Sequence, residues 1–365
     1  MSAPTDRTAC AAALASLPLQ TPRRLRRLLS MWSAEDAWNI VMHSGAGVFG
    51  INDDVVRTWR SQDASLVHRV AERCEEAGVW VTVRGDASYP AALVDDIDAP
   101  WVLFCKGNPE ALAHRRVGII GTRHATQAGR HFSRTLGGQL ADNGVTVVSG
   151  LARGIDVESH RGALDSRNEP HAVAVVAGGP DVVYPREHGA IWRELPQRGL
   201  IISELAPGER PEPFRFPQRN RILAALSEVL VVVESRESGG SMTTVREAMK
   251  RDIAVMAVPG SPHVQSSAGT NGLLRDGCAP VTSVDDVLIA LGFENRLLTS
   301  FVDSRPPPTA AGRRVLAALG DTPRTIDEIA LASGLTVVDI AVSLGTLASQ
   351  GWVADSDGWW EALTR

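Results

Sequence analysis

The densest chemistry in the chain lies in residues 214–222, "FRFPQRNRI", where Arg215, Arg219 and Arg221 alternate with Phe214 and Phe216. A guanidinium binds phosphate or carboxylate through a planar fork of donors and stacks on aromatic faces. Aromatic rings offer a platform for unpaired bases. Thirty-seven Lys and Arg are set against 42 Asp and Glu, a net charge of -5, so the cluster does not follow from a basic composition. The segment is expected to be a loop preceding the apolar run 229–233. Two readings stay open: a cleft for a phosphate chain with unpaired bases, or an arginine–carboxylate network inside the domain.

Other anion-friendly groups follow apolar segments. "IIGTRHAT" supplies Gly121, Thr122 and Arg123; "VVSGLARGID" supplies Ser149, Gly150 and Arg153; "AVVAGGPDVVYPREH" supplies Arg186; "VVESRESGGSMTT" supplies Ser238, Gly239, Gly240 and Ser241. Glycine turns let backbone N–H groups approach an anion, and a following helix N-terminus adds positive potential. No single turn is specific; their convergence on one end of one sheet is the signal. The dinucleotide glycine spacing and a Walker A lysine are both absent. Asp156 and His160 are four residues apart on a predicted helix, but no nucleophile elbow or HExxH accompanies them. They read as a helix-start partner and a packed histidine. Four scattered cysteines form no CxxC pair and are expected to be reduced. No catalytic residue, cofactor or metal is expected.

These turns need a scaffold. Beyond residue 79, short apolar strands alternate with amphipathic helices, the pattern of a doubly wound α/β domain whose parallel sheet is covered on both faces. The expected organisation is a helical domain at 1–78, the α/β domain at 79–298, a proline-rich linker at 299–309 and a winged-helix-like domain at 310–365. The last is inferred from three helical patterns and a hairpin turning at Asp357-Gly358. No run is long and apolar enough for a transmembrane helix. The alanine-rich residues 9–19 run into "TPRRLRRLL" and read as amphipathic helix, so a cytoplasmic protein is expected.

"VGIIGTR", "VVSGLARGIDVESHRGAL", "GGPDVVYP", "FPQRNRI", "SGGSMTT" and "AVPG" with "GTNGLLRDG" resemble the bacterial DprA/Smf DNA-processing family. The resemblance implies an extended Rossmann domain between a small helical domain and a winged helix. It also implies single-stranded DNA binding, a homodimer, and loading of the RecA recombinase in natural transformation or recombination, without enzymatic activity. By motif, the DNA site would use Arg123, Arg186, Phe216, Arg219, Asn220, Arg221, Gly239, Gly240 and Ser241. A rival reading is a nucleoside-monophosphate phosphoribohydrolase, whose catalytic glutamate follows a P-G-G-x-G-T turn. Here Arg246 stands at that place and Glu247 falls one residue late, a 100° rotation on a helix. The candidate recognition helix, 336–350, has one charged residue, Asp339. It is therefore expected to contact protein or support a dimer rather than read DNA.

Overall fold

The computed structural model describes residues 6–43, 48, 50–63, 65–166, 172–293, 306–320, 323–356 and 358–363. The chain divides into two units, Met1–Leu297 and Leu298–Arg365. Most of the expected linker and the hairpin-turn residue Asp357 lie outside the described residues.

The first unit starts with five helices: α1 (Asp6–Ala15), α2 (Pro22–Leu29), α3 (Ala34–His43), α4 (Asp53–Arg60) and α5 (Leu66–Glu76). Thr21 caps α2 through the Arg24 N–H, with Pro22 at the first helical position, where its missing N–H costs nothing. Leu14, Leu28 and Trp59 are fully buried in a core that extends to Val102 and Phe104 of the sheet.

The sheet strands are β1 (Trp80–Val83), β2 (Val102–Gly107), β3 (Arg116–Ile120), β4 (Thr146–Ser149), β5 (Ala172–Val175), β6 (Leu200–Ser203), β7 (Val229–Val232), β8 (Ala254–Ala257) and β9 (Ala279–Pro280). Their order is β1-β2-β6-β5-β4-β3-β7-β8-β9. From β6 to β9 every pairing is parallel. The expected doubly wound parallel sheet is present, and β1 and β2 extend it with an antiparallel edge. No crossover helix joins them, only a short 3-10 turn at Ala91–Leu93, so a parallel return is closed to them.

Crossover helices cover both faces. On one side lie α6 (Gln127–Asp142), α7 (Ile155–Asp165), α8 (Gly189–Arg198) and α12 (Val284–Ala290); on the other lie α9 (Arg215–Leu226), α10 (Ser241–Met249) and α11 (Ala268–Arg275). Along β7, Val229 and Val231 join one core while Leu230 and Val232 join the other. That alternation is why the strand reads as continuously apolar. One correction concerns residues 214–222, which are not a loop but the opening turns of α9. Ile222, Leu223 and Leu226 give that helix its buried stripe, and Pro217 falls in its first turn, where a missing N–H breaks no ladder.

The second unit comprises α13 (Ala310–Leu319), α14 (Ile326–Ser333), α15 (Val337–Ser349) and a hairpin of β10 (Val353–Ser356) and β11 (Trp359–Ala362). Thr325 and Glu328 form a reciprocal capping box at the start of α14. Val315, Leu319, Ile329, Ile340, Leu344 and Leu347 make its core.

Candidate nucleic-acid interface

The sheet order decides where a ligand can enter. From β3 the chain steps outward through β4, β5 and β6, and α9 then returns it to β7 on the other side of β3. Loops leaving β3 and β7 turn apart, so a crevice opens beyond their carboxyl ends. A cavity of about 410 Å³ lies there. Its walls are the Gly121–His124 turn after β3, the first turns of α9, and the segment from Arg236 to the start of α10.

The turn after β3 is fixed from below. The Thr122 N–H donates to the Glu234 carbonyl oxygen at 2.7 Å. The Glu234 carboxylate accepts from the Thr126 N–H at 2.9 Å and the Thr126 hydroxyl at 2.5 Å. A Cβ on Gly121 would lie 2.8 Å from the Glu234 carbonyl oxygen, which excludes a side chain. Ser149 is fully buried and donates to the Ile119 carbonyl at 2.6 Å. It braces β4 against β3 and does not reach the cleft.

The arginines of α9 separate by role. Arg219 is only 7% exposed. Its guanidinium donates to the Gly150 carbonyl at 2.8 Å and to the Val175 carbonyl, tying together the ends of β4 and β5. Its Nε reaches the Asn220 Oδ1 at 3.2 Å. Burial pulls its pKa down to about 10 against the attraction of Asp156, and neighbouring Arg123 pushes the same way as burial. Burial raises the Asp156 carboxyl, opposed by Arg219 and by N–H groups of Ala152, Gly121 and Gly150. Arg221 pairs with Glu204 and donates to the Asp98 carbonyl, and it does not line the cleft. Arg215 pairs with Glu209 at 3.1 Å and lies 5.7 Å over the Phe214 ring. For Arg215 and Arg221, then, the arginine–carboxylate network is the right reading.

Free positive charge comes from elsewhere. Arg123 sits 5.0 Å from the centroid of Phe216, and the Phe216 ring meets Tyr184 at 5.6 Å, tilted by 49°. Arg236, exposed just beyond β7, lines the same cavity. Among the described residues no carboxylate pairs with either arginine. Arg236 was missed in the sequence, although an arginine in a strand-end turn was the signal used to choose Arg123. Gly239, Gly240 and Ser241 follow it, and α10 starts with no side-chain cap and no acid in its first turn. Its positive end is open to the cavity. Asn220 also lines the cleft. Arg186 is exposed, two residues beyond Tyr184, and does not line the cavity. Arg153 pairs with Glu187 at the surface, so these two predicted cations stand apart from the cleft.

Acid–base chemistry has little footing. His160 is fully buried, and burial drives its pKa down to about 3, opposed by the Ser149 backbone and helped by the charge of Arg219. It stays neutral. Glu247, the residue nearest the phosphoribohydrolase glutamate, is ion-paired with Lys250 at 2.7 Å and Arg251 at 2.8 Å. It does not line the cleft. Among the described residues no group of three His, Cys, Asp or Glu side chains could hold a metal ion.

The profile of the family described as DNA recombination-mediator protein A matches residues 80–292. The chain belongs to the DprA/Smf family. The family's winged-helix profile matches residues 301–358. A putative DNA processing protein DprA of Mycobacterium tuberculosis is 39% identical over 275 residues, 73% of this chain and 69% of that protein. The DNA processing protein DprA of Bacillus subtilis is 33% identical over 62% of this chain and 76% of its own. The crystal structure of DprA from Streptococcus pneumoniae superposes with a TM-score of 0.65 at 29% identity, over 79% of this chain and 98% of that one. A Helicobacter pylori DprA structure described by its single-stranded DNA binding mode superposes at 0.54, with 30% identity, over 60% of this chain and 98% of that one. The family establishes a DNA-processing role, on an extended Rossmann-like sheet with a C-terminal winged helix.

Proposed function

We propose that the cleft between β3 and β7 binds single-stranded DNA with little sequence preference. The observation that supports this most is Arg123 stacked on Phe216 in a cavity that also holds Arg236 and the uncapped start of α10. Two unpaired cations and a helix terminus suit phosphates, and an aromatic face suits a base of any identity. Arg219 and Asn220 also line the cleft, and Arg219 holds the start of α9 in place through the Gly150 and Val175 carbonyls. The single-stranded DNA binding of the Helicobacter pylori relative supports the same ligand. By kinship, the protein works in the cytoplasm as a homodimer that helps load the RecA recombinase on the strand it holds, in transformation or recombination. It acts as a binder, not an enzyme.

Fluorescence anisotropy with single-stranded and duplex oligonucleotides of equal length tests the reading. The single strand should bind more tightly, and Arg123→Glu and Arg236→Glu should each weaken it more than tenfold, about 1.4 kcal/mol. Melting temperatures should stay unchanged, because both side chains are exposed. Wild-type affinity in both folded variants would refute the cleft.

A further inference from the structure

Phe214 takes no part in the cleft, yet it is 56% exposed. It and Phe216 lie two positions apart at the start of α9, about 200° around a helix, so the two rings face opposite sides. Phe216 lines the cleft; Phe214 lines a second, smaller cavity of about 110 Å³. Arg219 lines both, so the first turns of α9 are the wall between them. The second cavity is closed by Glu204 after β6, Gln218 of α9, and Pro22 and Leu25 of α2. It offers no free cation. Arg215, whose guanidinium lies over the Phe214 ring, is committed to Glu209, and Arg219 to two main-chain carbonyls. Gln20 and Ser203 are also satisfied, donating at 2.7 Å to the Leu14 and Gly178 carbonyls. Two polar groups stay open. Glu204 gives one carboxylate oxygen to Arg221, and no described residue donates to the other. Gln218 is exposed, with its amide unbonded among the described residues.

We propose that this second cavity takes an unstacked base of the same strand that the cleft holds, laid on Phe214 with its polar edge towards Glu204 and Gln218. The inference rests on the cleft binding single-stranded DNA. An aromatic platform, an apolar wall and two open polar groups suit a ring with hydrogen-bonding edges. The lack of a free cation and the small volume exclude its phosphate. The path between the cavities is short. A helix is about 10–12 Å across. A strand rising 3.4 Å per nucleotide crosses that in about three nucleotides, and in fewer when its bases are unstacked. The edge chemistry sets a preference at this one position. A carboxylate oxygen accepts from the exocyclic amine of cytosine or adenine, whereas thymine presents a carbonyl oxygen that the same charge repels. The base held here adds affinity without neutralising a further phosphate, so the salt dependence remains that of the cleft.

The test is a series of oligonucleotides lengthened one nucleotide at a time, with the affinity of the full chain read by competition against a labelled strand. Wild-type affinity should rise in a step once the strand is long enough to pass α9. Phe214→Ala should abolish the step, weakening the longer strands by at least about fivefold while the shorter ones and the salt slope stay as in wild type. Oligodeoxycytidine should gain more from the step than oligodeoxythymidine, and Gln218→Ala and Glu204→Gln should each reduce that difference. Arg123→Glu, the cleft control, should weaken every length. If Phe214→Ala and Gln218→Ala bind every length as wild type does while Arg123→Glu fails, the second cavity is unused and the proposal falls with the cleft intact. An equal loss at every length in Phe214→Ala also overturns it, because the ring would then act through the cleft. Normal binding by Arg123→Glu would sink the cleft, and the proposal with it. Phe214 and Gln218 are both exposed, so their variants should fold. If Phe214→Ala melts lower than wild type, the cytidine preference in Gln218→Ala decides: kept in full, it overturns the proposal.

Discussion

Arg123 and Arg219 have the same side chain and almost opposite jobs. Arg123 keeps its charge at the surface over Phe216; Arg219, buried in the cleft wall, commits its charge to the Gly150 and Val175 carbonyls near Asp156. Local sequence could show that residues 214–222 were rich in arginine but not which of these were already partnered. The partners Glu204, Glu209 and Gly150 come from other loops. The two kinds of arginine are separable in solution. Arg219→Met should destabilise the fold by about 3–5 kcal/mol in urea, since it leaves the buried Asp156 without its counter-charge. A wild-type midpoint would mean that Asp156 is protonated and the pair contributes nothing. His160 gives a second prediction at this scale. Its folded pKa, about 3, lies below the ordinary 6.5. Between those values the unfolded chain binds one more proton, so stability must fall as pH drops from 6.5 towards 3. This one site contributes ~1.4 kcal/mol per pH unit. His160→Phe should flatten the acid limb of the urea midpoint against pH; an identical limb in the variant would show that other groups set it.

At the level of elements, the strands were legible because buried parallel strands are apolar on both faces and need no partner to be recognised. Residues 214–222 were misread because their polar residues conceal a helix whose apolar stripe, Ile222, Leu223 and Leu226, begins only in its second turn. Direction was hidden too: nothing in "VWVTV" or "WVLFC" says whether a strand runs with or against its neighbour. The start of α10 offers a test in which binding and stability move oppositely. A Cβ at Gly240 meets nothing within 4 Å, so a side chain fits there. An aspartate at that helix start should stabilise the fold by about 0.3–1 kcal/mol through the helix dipole. The same charge lies in the wall of the cleft and should repel phosphate. Gly240→Asp is thus expected to melt no lower than wild type while binding single-stranded DNA at least several-fold more weakly, and Gly240→Ala should bind normally. Undiminished binding by a folded Gly240→Asp would place the strand away from α10.

Across the whole molecule, a chain of net charge -5 is poorly suited to hold DNA by bulk attraction, so binding must come from the few cations left unpaired at one crevice. Salt dependence can check that. Arg123, Arg236 and the α10 terminus correspond to two or three neutralised phosphates, and a log–log slope against salt near -0.7 for each predicts roughly -1.5 to -2. A slope near -5 would point to a second, extended basic track. Each unit also has its own core, that of the second drawn wholly from residues between Val315 and Trp360. A chain ended at Leu297 should therefore melt cooperatively and keep both the affinity and the slope, because every residue lining the cleft precedes that point. If the shortened chain folds but its slope becomes shallower, phosphates are being neutralised by the winged helix as well. That would contradict the single-crevice reading, since such cations would have to come from the five arginines beyond residue 297, Arg305 among them.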